Sequence, residues 1–209
     1  VYVVDDNTRV LVFAYASLTS GVPRRWAADE DTAGVNLLAD YSDDTMRKVA
    51  DHIHMHAQDS DVVIFSVHWG SNWGYDIPPR QIEFARQLID KADVDIVHGH
   101  SSHHVRALEV YQGRLILYGC GDFLNDYEGI GGHEAYRPDL TLMYLPTLDA
   151  ETGELQSLRM VPMRIRHMRL LHAAPGDVQW LRDRLHEQCT PFGVSIELDE
   201  NNDLIAKWE

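Results

Sequence analysis

Two runs of apolar residues set the frame of this chain: residues 62–67 (Val-Val-Ile-Phe-Ser-Val) and residues 94–97 (Val-Asp-Ile-Val). Short apolar runs of this kind read as buried strands, covered on both faces. Between them, past a loop containing Gly and Pro, residues 79–91 put Ile82, Ala85, Leu88 and Ile89 on one helical face. Strand, helix, strand at this spacing is a βαβ unit, whose two strands run parallel with a right-handed crossover.

Both runs lead into histidine. His68 follows the first, in His68-Trp69-Gly70. The second passes into Val97-His98-Gly99-His100-Ser101-Ser102-His103-His104, which holds four of the chain's 12 histidines. Imidazoles gathered at strand ends are poor core material and good ligands for divalent metals. In open α/β sheets, ligands bind beyond the carboxyl ends of the strands, where His68 and the Gly-His-x-x-His element of His100 and His103 lie. These three histidines are the candidate metal ligands, and manganese, zinc or iron the candidate ion. Ring nitrogens sharing one ion at ~2.0–2.1 Å bonds require His68 and His100 to approach within ~4–6 Å.

Other residues surround this element. Asn72, Tyr75 and Asp76 are the polar groups on the loop after His68, a place suited equally to substrate recognition and to solvated turn residues. Asp122 and Asn125 follow the strand-to-loop corner Gly119-Cys120-Gly121; they read as partners that orient histidine ligands, or as ordinary turn formers. His52, His54 and His56 read as the solvated face of a helix over residues 43–58. His133, His167, His172 and His186 are scattered and carry no pattern.

The remaining pattern is α/β with an antiparallel second half. Residues 10–17 read as a strand and residues 18–40 as a polar loop. Residues 107–111 and 114–118 flank Gln112-Gly113 as a tight hairpin, and residues 140–148 and 155–165 flank a longer one. A helix over 175–189 and two strands, 194–198 and 204–208, close the chain. With 209 residues, this reads as a single domain. Its net charge of −15, with only 18 Lys and Arg against 33 Asp and Glu, excludes a nucleic-acid binder. No apolar run approaches ~18 residues, so no membrane span is expected; the cytoplasm is favoured over the cell envelope. Cys120 and Cys189 form no disulfide framework. Val1-Tyr2-Val3-Val4 reads as a start inside a larger protein.

With these residues placed, the chain resembles the CapA family, the capsule and poly-γ-glutamate biosynthesis proteins related to calcineurin-like metallophosphatases. The match runs through His68-Trp69-Gly70, Pro79 with Gln81, and Leu88-Ile89-Asp90 with Ala92-Asp93. It continues through Gly99-His100-Ser101-Ser102-His103, Glu109-Val110-Tyr111-x-Gly113-Arg114-Leu115-Ile116 and Tyr118-x-x-Gly121-Asp122-Phe123. The resemblance implies the C-terminal portion of a metallophosphatase-like αββα sandwich with mixed sheets. It implies His68 as the isolated histidine ligand and His100 and His103 as the closing pair. Two positions depart from the family pattern: Asn72 stands where glutamate is usual, and Asp122 where asparagine is usual. The family's upstream Gly-Asp and Asn-Asn-His motifs are absent, so an upstream segment is expected to complete the site. The function implied is a metal-dependent hydrolase acting on an anionic polymer or phosphoester, with His104 as acid. The alternative is a non-catalytic, polymer-binding component of a synthesis or export assembly.

Overall fold

The computed structural model describes residues 1–4, 8–125 and 130–209. Among these residues, the first half of the chain builds a sheet from β1 (Tyr2–Val3), β2 (Arg9–Ser17), β3 (Leu37–Leu38), β4 (Val62–His68), β5 (Ile96–His100), β6 (Leu108–Tyr111) and β7 (Arg114–Leu117). The order is β1-β2-β4-β5-β7-β6, with β3 beside β2. Its centre, β2 to β7, is parallel; β1 and β6 are antiparallel edges. The connections are α1 (Asp43–His56) and α2 (Pro79–Ala92), so the βαβ unit read from the sequence is present.

Helix α1 starts where its residues satisfy the free N–H groups of its first turn. Ser42 Oγ accepts from the Thr45 N–H at 3.3 Å, and Asp40 in turn accepts from Ser42 Oγ at 2.6 Å and Thr45 Oγ1 at 2.7 Å. Ser42→Ala removes the centre of this cap and is expected to cost about 1 kcal/mol. A urea midpoint unchanged from the wild type would show that the cap contributes nothing.

The second half of the chain forms an antiparallel sheet: β8 (Leu140–Leu148), β9 (Leu155–Arg166), β10 (Arg169–His172), β11 (Ser195–Leu198) and β12 (Leu204–Lys207), with α3 (Pro175–Cys189) beside it. The two sheets and their helices share one apolar core, from Phe65, Phe84 and Leu88 to Leu158, Leu181 and Leu185. The fold is an α/β sandwich. No described helix is long and apolar enough to cross a membrane.

Two expectations need correction. Strand β5 begins at Ile96 rather than Val94, and continues through His98, Gly99 and His100, so the histidines lie within the strand. Asp95 explains the later start: its carboxylate is turned back to accept the Val63 N–H at 2.8 Å. The strands are also not covered on both faces. In β4, Val63, Phe65 and Val67 are buried beneath the helices while Ile64, Ser66 and His68 are only half-buried. Their neighbour Val12 on β2 is 43% exposed. The second sheet covers this face only in part, leaving an apolar groove of about 650 Å³ lined by Val12, Ile64, Ile96, Leu142 and Tyr144, with His98 and His100 along it.

His52 departs from the solvated reading as well. It pairs with the Tyr15 hydroxyl at 2.6 Å and packs edge-on against Phe13, so this part of the helix face is half-buried rather than fully solvated.

Candidate metal centre

Parallel pairing puts the two central histidines side by side. His68 and His100 are register partners on β4 and β5, so their side chains leave the same face of the sheet. Their Nδ1 atoms are 3.2 Å apart. This is closer than the ~4–6 Å anticipated, and it matches two nitrogens on one ion at an angle of about 100° for bonds of ~2.0–2.1 Å. Without an ion, the same separation holds one shared proton. Burial pushes the His100 imidazole down to about 4, helped by His98 and His68. Burial also lowers His68, with His103 adding to the effect. Both rings are therefore neutral near pH 7, the form in which imidazole binds metal.

The ladder continues one step inward. Ser66 and His98 are the next register pair, with Ser66 Oγ 3.0 Å from His98 Nδ1. His98 thus has a side-chain partner within the sheet.

His103 stands on the loop after β5, held from both sides. Its Nδ1 donates to the Asp122 carboxylate at 3.0 and 3.1 Å, and Asn125 Nδ2 donates to the same carboxylate at 3.1 Å. A carboxylate on one ring nitrogen fixes the tautomer and leaves the other as the lone-pair donor. That other nitrogen, Nε2, lies 3.1 Å from Asn72 Nδ2. Asn72 thus touches a candidate ligand directly.

The loops carrying these residues are tied together. The Trp69 N–H donates to the His100 carbonyl at 2.9 Å, and the His103 N–H to the Asn72 carbonyl at 3.1 Å. Ser101, between the two histidines, holds φ at 118°, a region that side chains rarely adopt. Its hydroxyl reaches the Gly70 carbonyl at 3.3 Å. Thr19 and Ser20, at the end of β2, bind the Gly70 N–H and the His68 carbonyl at 3.0 Å each. Only the β-to-loop position of residues 17–20 hinted at that role.

Tyr75 and His104 form a wall rather than a polar rim. The His104 ring packs against Tyr75 at 4.8 Å and Tyr136 at 4.7 Å between centroids, with Trp73 at 6.0 Å. It is 1% exposed, its Nδ1 donates to the Val105 carbonyl at 3.0 Å, and burial lowers it to about 4. The ring is thus enclosed by aromatic side chains, with Nδ1 engaged by backbone. Asp76 is exposed on the outer side of the loop.

His68 and His100 fit one ion, but among the described residues no three His, Cys, Asp or Glu side chains converge on a common point.

Residues 1–127 match the family described as bacterial capsule synthesis protein PGA_cap. The chain belongs to this family. A relative from Mycobacterium tuberculosis strain H37Rv, named a probable polyglutamine synthesis accessory protein, is 46% identical over 200 residues, 95% of this chain and 52% of the relative. The PGA biosynthesis protein CapA of Bacillus subtilis strain 168 is 39% identical over 67 residues, 32% of this chain and 17% of that protein. The capsule biosynthesis protein CapA of Bacillus anthracis is 34% identical over 67 residues, 32% of this chain and 16% of that protein. The PGA_cap chain described here thus spans about half the length of its mycobacterial relative.

Proposed function

We propose that this chain carries the histidine-bearing half of a divalent-metal site in a hydrolase-type protein serving the biosynthesis of poly-γ-glutamate or a related capsule polymer. The observation that carries this reading is the neutral His68–His100 pair, its Nδ1 atoms 3.2 Å apart at the carboxyl edge of two parallel strands. Membership of the PGA_cap family supplies the polymer context. Bound there, a divalent ion would supply a water of lowered pKa and neutralise charge on a phosphoryl or acyl oxygen. The chain's own contribution is to hold the ligand rings neutral and fixed, and to wall the site with Trp73, Tyr75 and Tyr136. A polyanionic substrate meets a chain of net charge −15, so the attraction must come from the ion and the local donors. We place the remaining oxygen donors outside this chain, in the length that the relatives have in addition.

This reading fixes the order of metal preference. Two imidazoles without a carboxylate hold Zn²⁺ or Ni²⁺ better than Mn²⁺ or Mg²⁺, which favour oxygen. Calorimetry on the 209-residue chain is expected to show at most one ion, with Zn²⁺ bound more tightly than Mn²⁺. Stoichiometric uptake of two ions would overturn it.

A second reading is a binding component without catalysis that grips an anionic polymer; among the described residues two histidines, and no third donor, come together. Hydrolysis of a chromogenic phosphodiester by a chain of the relatives' full length separates the two. Mn²⁺-dependent turnover that is lost in His100→Ala supports the hydrolase; ion-dependent polymer binding with no turnover supports the binding component.

A further inference from the structure

Arg106, on the segment between β5 and β6, is 2% exposed. Arginine is rarely buried without a carboxylate beside it, because removing its charge from water is unfavourable. Here Asp76 acts on it only through space, and burial is what shifts its guanidinium downward. One terminal nitrogen instead grips the backbone: it donates to the Ser71 carbonyl at 2.8 Å, to Ser71 Oγ at 2.9 Å and to the Trp73 carbonyl at 3.3 Å.

Those two carbonyls flank Asn72. The Asn72 carbonyl accepts the His103 N–H at 3.1 Å, and its side chain meets His103 Nε2 at 3.1 Å. The guanidinium thus ties together the carbonyls of the two residues on either side of Asn72, the residue that holds His103 by both backbone and side chain. Space for its stem is made by Gly119, where an added Cβ would lie 2.9 Å from Arg106 Cδ. An apolar residue would fill the same volume without the desolvation of a charge, but would leave the two carbonyls without this donor.

We propose that Arg106 is a positioning residue of the histidine site: it fixes the turn at residues 70–73, and through Asn72 that turn sets where His103 stands beside the His68–His100 pair. The effect on ion binding rests on the metal site proposed above, whereas the pinning of the turn stands without it.

Amide hydrogen exchange tests the pinning. In Arg106→Met the His103 amide is expected to exchange about tenfold faster, while the Phe65 amide in the core is unchanged. Equal acceleration at both positions would mean a merely structural role and overturn the proposal. If Arg106→Met does not fold, Arg106→Lys carries the same comparison, since it keeps charge and stem but replaces the planar fork by a point donor. Cobalt(II) titration tests the consequence. Affinity is expected to fall about tenfold in Arg106→Met and in Asn72→Ala, with a changed visible spectrum, and the double variant should be no weaker than either single one. Fully additive losses would show that Arg106 acts by another route and overturn the role in ion binding. A wild-type chain that takes up no cobalt removes the metal site and this consequence with it, and the exchange comparison alone then decides the pinning.

Discussion

His100→Ala is expected to weaken Zn²⁺ binding by at least ~100-fold while leaving the fold in place. Loss of a residue that merely orients a ligand costs ~10–100-fold in affinity, so loss of the ligand itself lies at or beyond the upper end. The effect on stability is set by different contacts. His100 is half-buried at the end of β5, with its ring toward the groove rather than beneath the helices. Removing it forfeits one hydrogen-bonded contact with His68, worth about 1 kcal/mol. Calorimetry and a urea titration on the same variant check both halves. Unchanged Zn²⁺ affinity would sink the metal reading, and loss of folding would make His100 a structural residue.

Gly99→Ala is expected to behave in the opposite way, destabilising the fold by about 3 kcal/mol or more. A Cβ at position 99 would sit 2.4 Å from Trp69 Nε1, 2.5 Å from the Leu117 carbonyl oxygen and 2.8 Å from the Tyr118 carbonyl oxygen. Two of these atoms are backbone of the neighbouring strand and its exit, so β5 and β7 would have to separate. The third belongs to a buried indole that donates to the Tyr118 carbonyl at 3.1 Å, so rotating it away breaks that bond. The glycine of the Gly-His element is therefore required by packing. A Gly99→Ala chain with the wild-type urea midpoint would show that the strands accommodate the methyl group.

The sequence made the central strands legible because apolar runs and an amphipathic helix alternate with little interruption through residues 62–97. The side-by-side histidines follow from the same pattern: equal positions at the ends of two parallel neighbours share a face. Strand β10 was not legible. Its hairpin with β9 turns at His167 and Met168, both with positive φ, 53° and 54°. Such turns are ordinarily marked by Asn-Gly or Asp-Gly, and nothing in His-Met signals one. The short β3 pairs through two residues only, too few for a period. The fine structure of the site was hidden for a related reason. The contact of Asn72 with His103 depends on a loop path that includes Ser101 at φ 118°, a conformation its residue type does not advertise. Arg106 sits in Val105-Arg106-Ala107, and neither its burial nor its grip on the turn leaves a mark on spacing or composition.

The partly covered face of the first sheet has a consequence for how the molecule behaves in solution. On its own, this chain combines an accessible apolar strip around Val12 and Ile64 with a charge of −15. Between two copies, the strips attract at contact while the charges repel over roughly a Debye length, ~10 Å at 0.1 M salt. Added salt shortens the repulsion and leaves the attraction intact, or strengthens it when the salt is one excluded from apolar surface. The colloidal stability of the isolated chain is therefore electrostatic in origin. The ionic strength of the solution is thus a lever on whether copies stay apart.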